Sequence, residues 1–121
     1  MFLKKALDFF LLIVLITLLF QSCDNTNDNI LSGTVTYIDS ISGLEEYADE
    51  AFVGLYKDKA LTEPVDSMYS DSEGEYLFYP VNIGSYYLNS FININGTLYT
   101  GTESVSISIN SNKTQNLTLK H

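Results

Sequence analysis

The sequence has no arginine, no tryptophan, one histidine, one cysteine and two prolines among 121 residues. Each scarcity removes a class of function. With no arginine, and 6 bases against 15 acids, the basic footprint that nucleic acid requires is missing. The only histidine, His121, is the last residue. A serine nucleophile therefore has no nearby imidazole base, no serine stands in a nucleophile elbow, and a zinc site has no second His or Cys. Two prolines do not make a Pro-rich linker. No catalytic residue, metal site or cofactor site is expected, and the chain reads as non-enzymatic. Asp66, Asp71, Glu73 and Glu75 gather around one hairpin, but their spacing is not that of a calcium loop, and a solvated acidic turn explains them.

What is present begins with export. Lys4 and Lys5 form a basic start, and Phe9–Phe20 is a run of 12 residues, strongly apolar except for Thr17. That run is short of the roughly 20 residues a bilayer span needs and fits the core of a signal peptide. Asp8 limits the run further, because a carboxylate in hydrocarbon is costly. Phe20-Gln21-Ser22-Cys23 then resembles the lipobox of bacterial lipoproteins. The resemblance implies cleavage between Ser22 and Cys23 and a palmitate-type lipid anchor on the Cys23 thiol. Phe20 and Gln21 depart from the commonest Leu-Ala pairing, and the alternative is an uncleaved anchor helix with an incidental cysteine. Several acyl chains on one residue hold a protein at a membrane where one chain would not.

The expected organisation is a signal peptide over 1–22, a polar tether over 23–29 and a single domain over 30–121. The tether, Asp24-Asn25-Thr26-Asn27-Asp28-Asn29 after the cysteine, resembles in part the acidic surface-export signal of Bacteroidetes lipoproteins. The expected place is the outer membrane, with the cell surface and the periplasmic face both open. The part after residue 22 carries 4 lysines and 14 acids, a balance of −10. That balance favours solubility on a crowded surface and opposes a face laid on anionic lipid.

From Ile30 onward the apolar residues alternate with period two, the signature of strands. The expected strands are Leu31–Tyr37, Glu50–Lys57, Val65–Tyr69, Glu75–Tyr79, Ser85–Ile94, Thr97–Thr100, Ser104–Ile109 and Thr114–Lys120. Ala51, Val53 and Leu55 share one face, as do Tyr76 and Phe78. Asn95-Gly96 is a hairpin signal, and Gly74 follows an acidic turn where a positive φ is needed. Ile38–Asp49 reads as a loop, and Ile41–Phe52 could also be read as a short helix because of Leu44-Glu45-Glu46-Tyr47-Ala48. About eight short strands at this spacing predict an all-β, two-sheet antiparallel sandwich.

Four segments in order carry a resemblance: Gly33-Thr34-Val35, Ala51-Phe52-Val53-Gly54-Leu55, Asp71-Ser72-Glu73-Gly74-Glu75-Tyr76-Leu77-Phe78 and Val81-Asn82-Ile83-Gly84-Ser85-Tyr86-Tyr87-Leu88. Together they are similar to the carboxypeptidase regulatory-like, or prealbumin-like, sandwich family over about 90 residues. The resemblance implies an accessory, stalk or adhesive module rather than an enzyme. Related pilin-type sandwiches carry a Lys–Asn isopeptide bond, but Thr34–Tyr37 offers no lysine for one. Asp39-Ser40-Ile41 and Asp66-Ser67-Met68 resemble an O-glycosylation sequon, making Ser40 and Ser67 candidates. Tyr79, Tyr87 and Tyr99 are expected to be exposed and able to stack on sugars or peptides, although such residues also form cross-strand pairs.

The functional expectation is a membrane-anchored binding or structural module with a protein or glycan partner at the envelope. The alternative is an accessory subunit docking to an outer-membrane transporter or secretion complex. An aromatic patch or sheet edge on the side away from the tether would favour the first.

Overall fold

The alternation read from the sequence becomes nine strands in two sheets in a computed structural model, which describes residues 28–121. They are β1 (Ile30–Ile38), β2 (Glu45–Tyr47), β3 (Phe52–Tyr56), β4 (Pro64–Tyr69), β5 (Glu75–Phe78), β6 (Gly84–Ile94), β7 (Thr97–Ile107), β8 (Asn112–Thr114) and β9 (Leu117–Leu119). The all-β sandwich is as expected. The expected leader, with Ser22 and Cys23, lies outside the described residues. No helix among the described residues is long and apolar enough to cross a membrane.

The first sheet is organised by β1. Antiparallel β5 pairs with Leu31–Thr34 and antiparallel β2 with Thr36–Ile38, while β8 and β9 run parallel to Ile30–Ser32 and Val35–Tyr37. The β5 and β8 registers overlap on β1, as do those of β2 and β9, so β5 and β2 share one edge and β8 and β9 the other. The second sheet has the antiparallel order β4-β3-β6-β7. Its centre is the long β6–β7 hairpin, closed at Asn95-Gly96 with φ of 53° and 83° as a primed turn requires. A bridge between Thr100 and Lys120 joins the two sheets along one side.

Alternate residues of both sheets meet in one core. Leu31, Val35, Val53, Leu55, Phe78, Leu88, Leu117 and Leu119 are all buried there, with Tyr76, Tyr86, Val105 and Ile107. Tyr76 lies 5.8 Å from Phe78, ring centre to ring centre, and its hydroxyl donates to the Gln115 carbonyl. Burial raises the Tyr76 pKa well above the usual tyrosine value.

Four readings change. The Leu44–Ala48 stretch is not helical: Glu45–Tyr47 is β2, folded back on β1 through a turn in which the Asp39 carboxylate accepts from the Ile41 and Ser42 amides at 2.8 and 3.0 Å. These amides hold the Asp39 pKa below the ordinary value. Thr97–Thr100 and Ser104–Ile109 are one strand, because Gly101, Thr102 and Glu103 stay in register with Ser90, Asn89 and Leu88. The closing strand is two short pieces, β8 and β9, interrupted at Gln115-Asn116. Asn29, read as tether, is only 3% exposed. Its side chain donates to the Val81 carbonyl at 3.0 Å and accepts from the Ser111 amide at 3.1 Å, knitting two loops to the start of β1.

Two left-handed glycines make a test. Gly74 (φ 73°) and Gly96 (φ 83°) both favour glycine, but a Cβ on Gly74 would lie 2.2 Å from the Val35 carbonyl oxygen, while one on Gly96 meets nothing within 4 Å. Gly96→Ala should therefore cost about 1–2 kcal/mol, the left-handed penalty alone. Gly74→Ala should cost well beyond that, to be read as a larger loss of urea midpoint. Equal losses would disprove the contrast.

Burial of Tyr76 sets a pH dependence. The folded state keeps this proton where the unfolded chain, with a tyrosine pKa of about 10, has begun to lose it. The stabilisation is thus complete below about pH 10 and is lost as pH rises towards the folded value, with a slope of about 1.4 kcal/mol per pH unit for one group. Urea unfolding across that range should show the decline. Tyr76→Phe should be less stable at neutral pH, by about 1 kcal/mol for the lost hydrogen bond, and should decline less steeply in alkali.

Candidate functional site

The second sheet presents an aromatic row on its wet face. Phe52, Gly54 and Tyr56 alternate with Val53 and Leu55 and so lie on the other face of β3, where Phe52 is half-buried and Gly54 and Tyr56 are buried. The register places Phe52 between Tyr69 of β4 and Phe91 of β6, with Thr100 of β7 beyond. Phe52 stacks on Phe91 at 4.9 Å with 29° between planes, and meets Tyr69 edge-on at 5.9 Å. Tyr69 remains 66% exposed and Phe91 43%. Such rings are worth more buried than wet, and here Tyr69 on the edge strand and Phe91 on an inner strand both keep a large part of their surface in water.

The next register row is small and polar: Ser67, Gly54, Asn89 and Thr102. The Asn89 amide donates to the Thr102 hydroxyl at 3.0 Å, which orients both side chains on the surface. A Cβ at Gly54 would fall 2.9 Å from the Phe52 ring and 2.7 Å from the Tyr56 ring, so the two aromatics lean over the glycine from either side. Tyr87, opposite Tyr56, closes the face with a half-buried ring. The surface thus has the aromatic row at one end, hydroxyl and amide groups beside it, and the half-buried Tyr87 ring beyond, next to the buried Tyr56.

Tyr69 also borders an open groove of about 510 Å³. The groove lies where β4, at the edge of one sheet, passes β5 of the other; the Leu77 amide donates to the Met68 sulfur there at 3.2 Å. Asp71 and Glu75 supply carboxylates, Ser32, Thr34 and Thr114 hydroxyls, and Asn116 an amide. The Asp71 carboxylate is already engaged, accepting from the Glu73 and Glu75 amides at 2.9 and 2.8 Å. No cluster of three or more metal-binding side chains occurs among the described residues. The acidic hairpin is a turn, held by its own backbone.

The candidate residues named from the sequence separate here. Tyr79 is exposed and Tyr87 half-exposed, but Tyr99 is buried, 3% exposed. Its ring packs 5.0 Å from that of Tyr37, and its hydroxyl donates to Ser40 Oγ and accepts from the Ser40 amide, both at 3.1 Å. The hairpin register explains the correction, since it sets Tyr99 opposite Ile92, which packs against the core. The Ser40 and Ser67 side chains are both exposed, Ser40 in the β1–β2 turn and Ser67 beside Gly54 on the wet face. Phe52, Tyr69 and Phe91 went unnamed. Their signal was available: once Ala51, Val53 and Leu55 are assigned inward, Phe52 must face out.

No protein-family model matches the chain, and no curated protein matches it in sequence. Among solved structures it is similar to a crystal structure from Pseudomonas aeruginosa described as that of a candidate carbohydrate-binding protein, with a TM-score of 0.52 and 16% identity. The match covers 80% of this chain and 90% of that one. At that identity the likeness establishes the all-β fold alone.

Proposed function

We propose that the chain is a non-enzymatic, lipid-anchored envelope protein that binds carbohydrate on the wet face of the β4-β3-β6-β7 sheet. The Tyr69–Phe52–Phe91 row carries the reading. The C–H face of a pyranose is weakly positive and apolar, and it complements the negative face of an aromatic ring. Its hydroxyls need fixed donors and acceptors within reach, which Ser67, Asn89 and Thr102 offer on one side and the groove beyond Tyr69 on the other. The name of the Pseudomonas aeruginosa protein supports the same ligand class. The anchor is read from the sequence, from Lys4 and Lys5, the short apolar run Phe9–Phe20 and the Phe20–Cys23 lipobox, and the place from the anchor: the outer membrane, on either face. The domain's likeness to the carboxypeptidase regulatory-like family rests on the four segments quoted above. Ser40 and Ser67 remain proposed sites of O-glycosylation, and a sugar on Ser67 would occupy part of the binding face.

A second reading, docking to an outer-membrane transporter or secretion complex, is favoured by Ile41, which is 97% exposed in the β1–β2 turn beside the exposed Leu44. It expects Ile41→Ser to weaken a protein contact and leave sugar binding unchanged.

Screening on a glycan array, followed by calorimetry with the best oligosaccharide, tests the first reading. Tyr69→Ala and Phe91→Ala should each weaken binding at least about tenfold, roughly 1.4 kcal/mol. Loss of the Tyr69 ring, 66% exposed, should leave the melting temperature nearly unchanged, while loss of Phe91, which stacks on Phe52, should lower it slightly, by up to about 1 kcal/mol of stability. No binder on the array, or unchanged affinity in both variants, would overturn it.

Growth with a clickable fatty acid tests the anchor. The native chain should take up label and Cys23→Ala should not. Protease shaving of intact cells then decides the side: removal of the domain means the surface, and protection means the periplasmic face.

A further inference from the structure

The two ends of the sandwich differ in a way that suits one of them to a lipid surface. Asn29 fixes where the chain enters, since its hydrogen bonds to Val81 and Ser111 bring the β5–β6 and β7–β8 loops around the start of β1. Those loops present Tyr79, Ile83 and Ile109 to solvent, 55%, 56% and 72% exposed. The Tyr79 hydroxyl reaches the Asp28 carboxylate at 3.4 Å. Three large apolar or amphipathic side chains thus surround the point at which the chain leaves the domain.

Charge divides the same way. Of the four lysines in residues 28–121, Lys57, Lys59 and Lys113 stand towards this end, with Asp28, Asp58, Glu63 and Asp66, three bases against four acids, so it is close to neutral. The opposite end carries Asp39, Glu45, Glu46, Asp49 and Glu50 with Lys120 as its only lysine. A strongly anionic end is repelled by any anionic lipid in a membrane, and a near-neutral end is not. Between Cys23 and Asn29 only five residues intervene, which reach at most about 20 Å when extended.

We propose that the end bearing Tyr79, Ile83 and Ile109 rests in the headgroup layer of a zwitterionic bilayer. The isoleucines reach the acyl boundary and Tyr79 keeps its hydroxyl in the polar layer, the division that amphipathic side chains adopt at membrane interfaces. The domain then stands upright on the membrane. The aromatic row, in the half of the sheet nearer the Asn95-Gly96 turn, is held away from the lipid. This inference rests on lipidation of Cys23.

The test uses the full chain, purified in its acylated form and reconstituted into phosphatidylethanolamine vesicles. Variants Ile83→Cys, Ile109→Cys and, at the far end, Ile41→Cys are spin-labelled; an acylated Cys23 has no free thiol to react. All three side chains are exposed, so labelling leaves the core intact. Labels at 83 and 109 should be accessible to oxygen and shielded from a water-soluble nickel complex, with the label at 41 showing the reverse. Water-like labels at all three positions in a chain whose acylation is verified by mass spectrometry overturn this inference alone. Spin–spin broadening between copies at 83 and 109, without oxygen access, assigns the surface to a second copy and also overturns it. An unacylated Cys23 overturns the anchor and this inference together.

Discussion

The sandwich depends on the backbone of β1. Both edges of this strand are consumed, one by β5 and β2 and the other by β8 and β9, so that one nine-residue segment holds four others. Two of those partners arrive from the far end of the sequence and run parallel to it. Parallel pairing of β1 with Leu117–Leu119 joins residues 82 apart in sequence (117 − 35), which makes closure of the first sheet a non-local event. Gly33 shows how tightly this is built. A Cβ there would lie 2.0 Å from the Gln115 carbonyl oxygen, the same carbonyl that accepts the Tyr76 hydroxyl. The break between β8 and β9 lets this carbonyl reach the Tyr76 hydroxyl.

That arrangement explains what the sequence could disclose. Period-two alternation in Glu75–Phe78 and Gly84–Ile94 identifies those strands and their inward faces, because burial on one side of a sheet writes itself into composition, while Phe52–Tyr56 reads as a strand from a short, nearly all-apolar run. Asn95-Gly96 discloses the central hairpin for a local steric reason. Glu45–Tyr47 was ambiguous since its residues suit a helix, and only pairing with Thr36–Ile38 settles it as a strand. Gly101 reads as a breaker, yet the long hairpin carries the strand through it. Asn29 looked like tether because its role lies in hydrogen bonds to loops 52 and 82 residues away, which no local pattern records.

The candidate face was legible only by combining two inferences. Parity puts Phe52 outward, and register puts Tyr69 and Phe91 beside it. Parity follows from three residues, but register requires knowing that β3 lies between β4 and β6. Tyr99 failed for the same reason in reverse: taken singly it is an aromatic in a polar neighbourhood, and the hairpin register buries it against Tyr37. Aromatic residues in a chain with nine tyrosines are thus sorted into core and surface by pairing, not by composition.

The edges of the second sheet bear on how it meets a ligand. A free strand edge offers a row of amides and carbonyls to an incoming peptide, and natural sheets blunt such edges with proline, charge and bulges. Here β4 begins at Pro64, carries Asp66, and pairs with β3 through a register shift at Leu55/Tyr56. On the other sheet β5 has only four residues, and the outward amide of Leu77 is already occupied by the Met68 sulfur. Both edges beside the groove are therefore poor templates for strand addition. What these edges leave available is side-chain surface, and the exposed side chains with the largest ring surface there are those of the aromatic row. On the proposed reading the ligand is met by side-chain faces and so must bring flat apolar patches and hydroxyls, a combination that a sugar has.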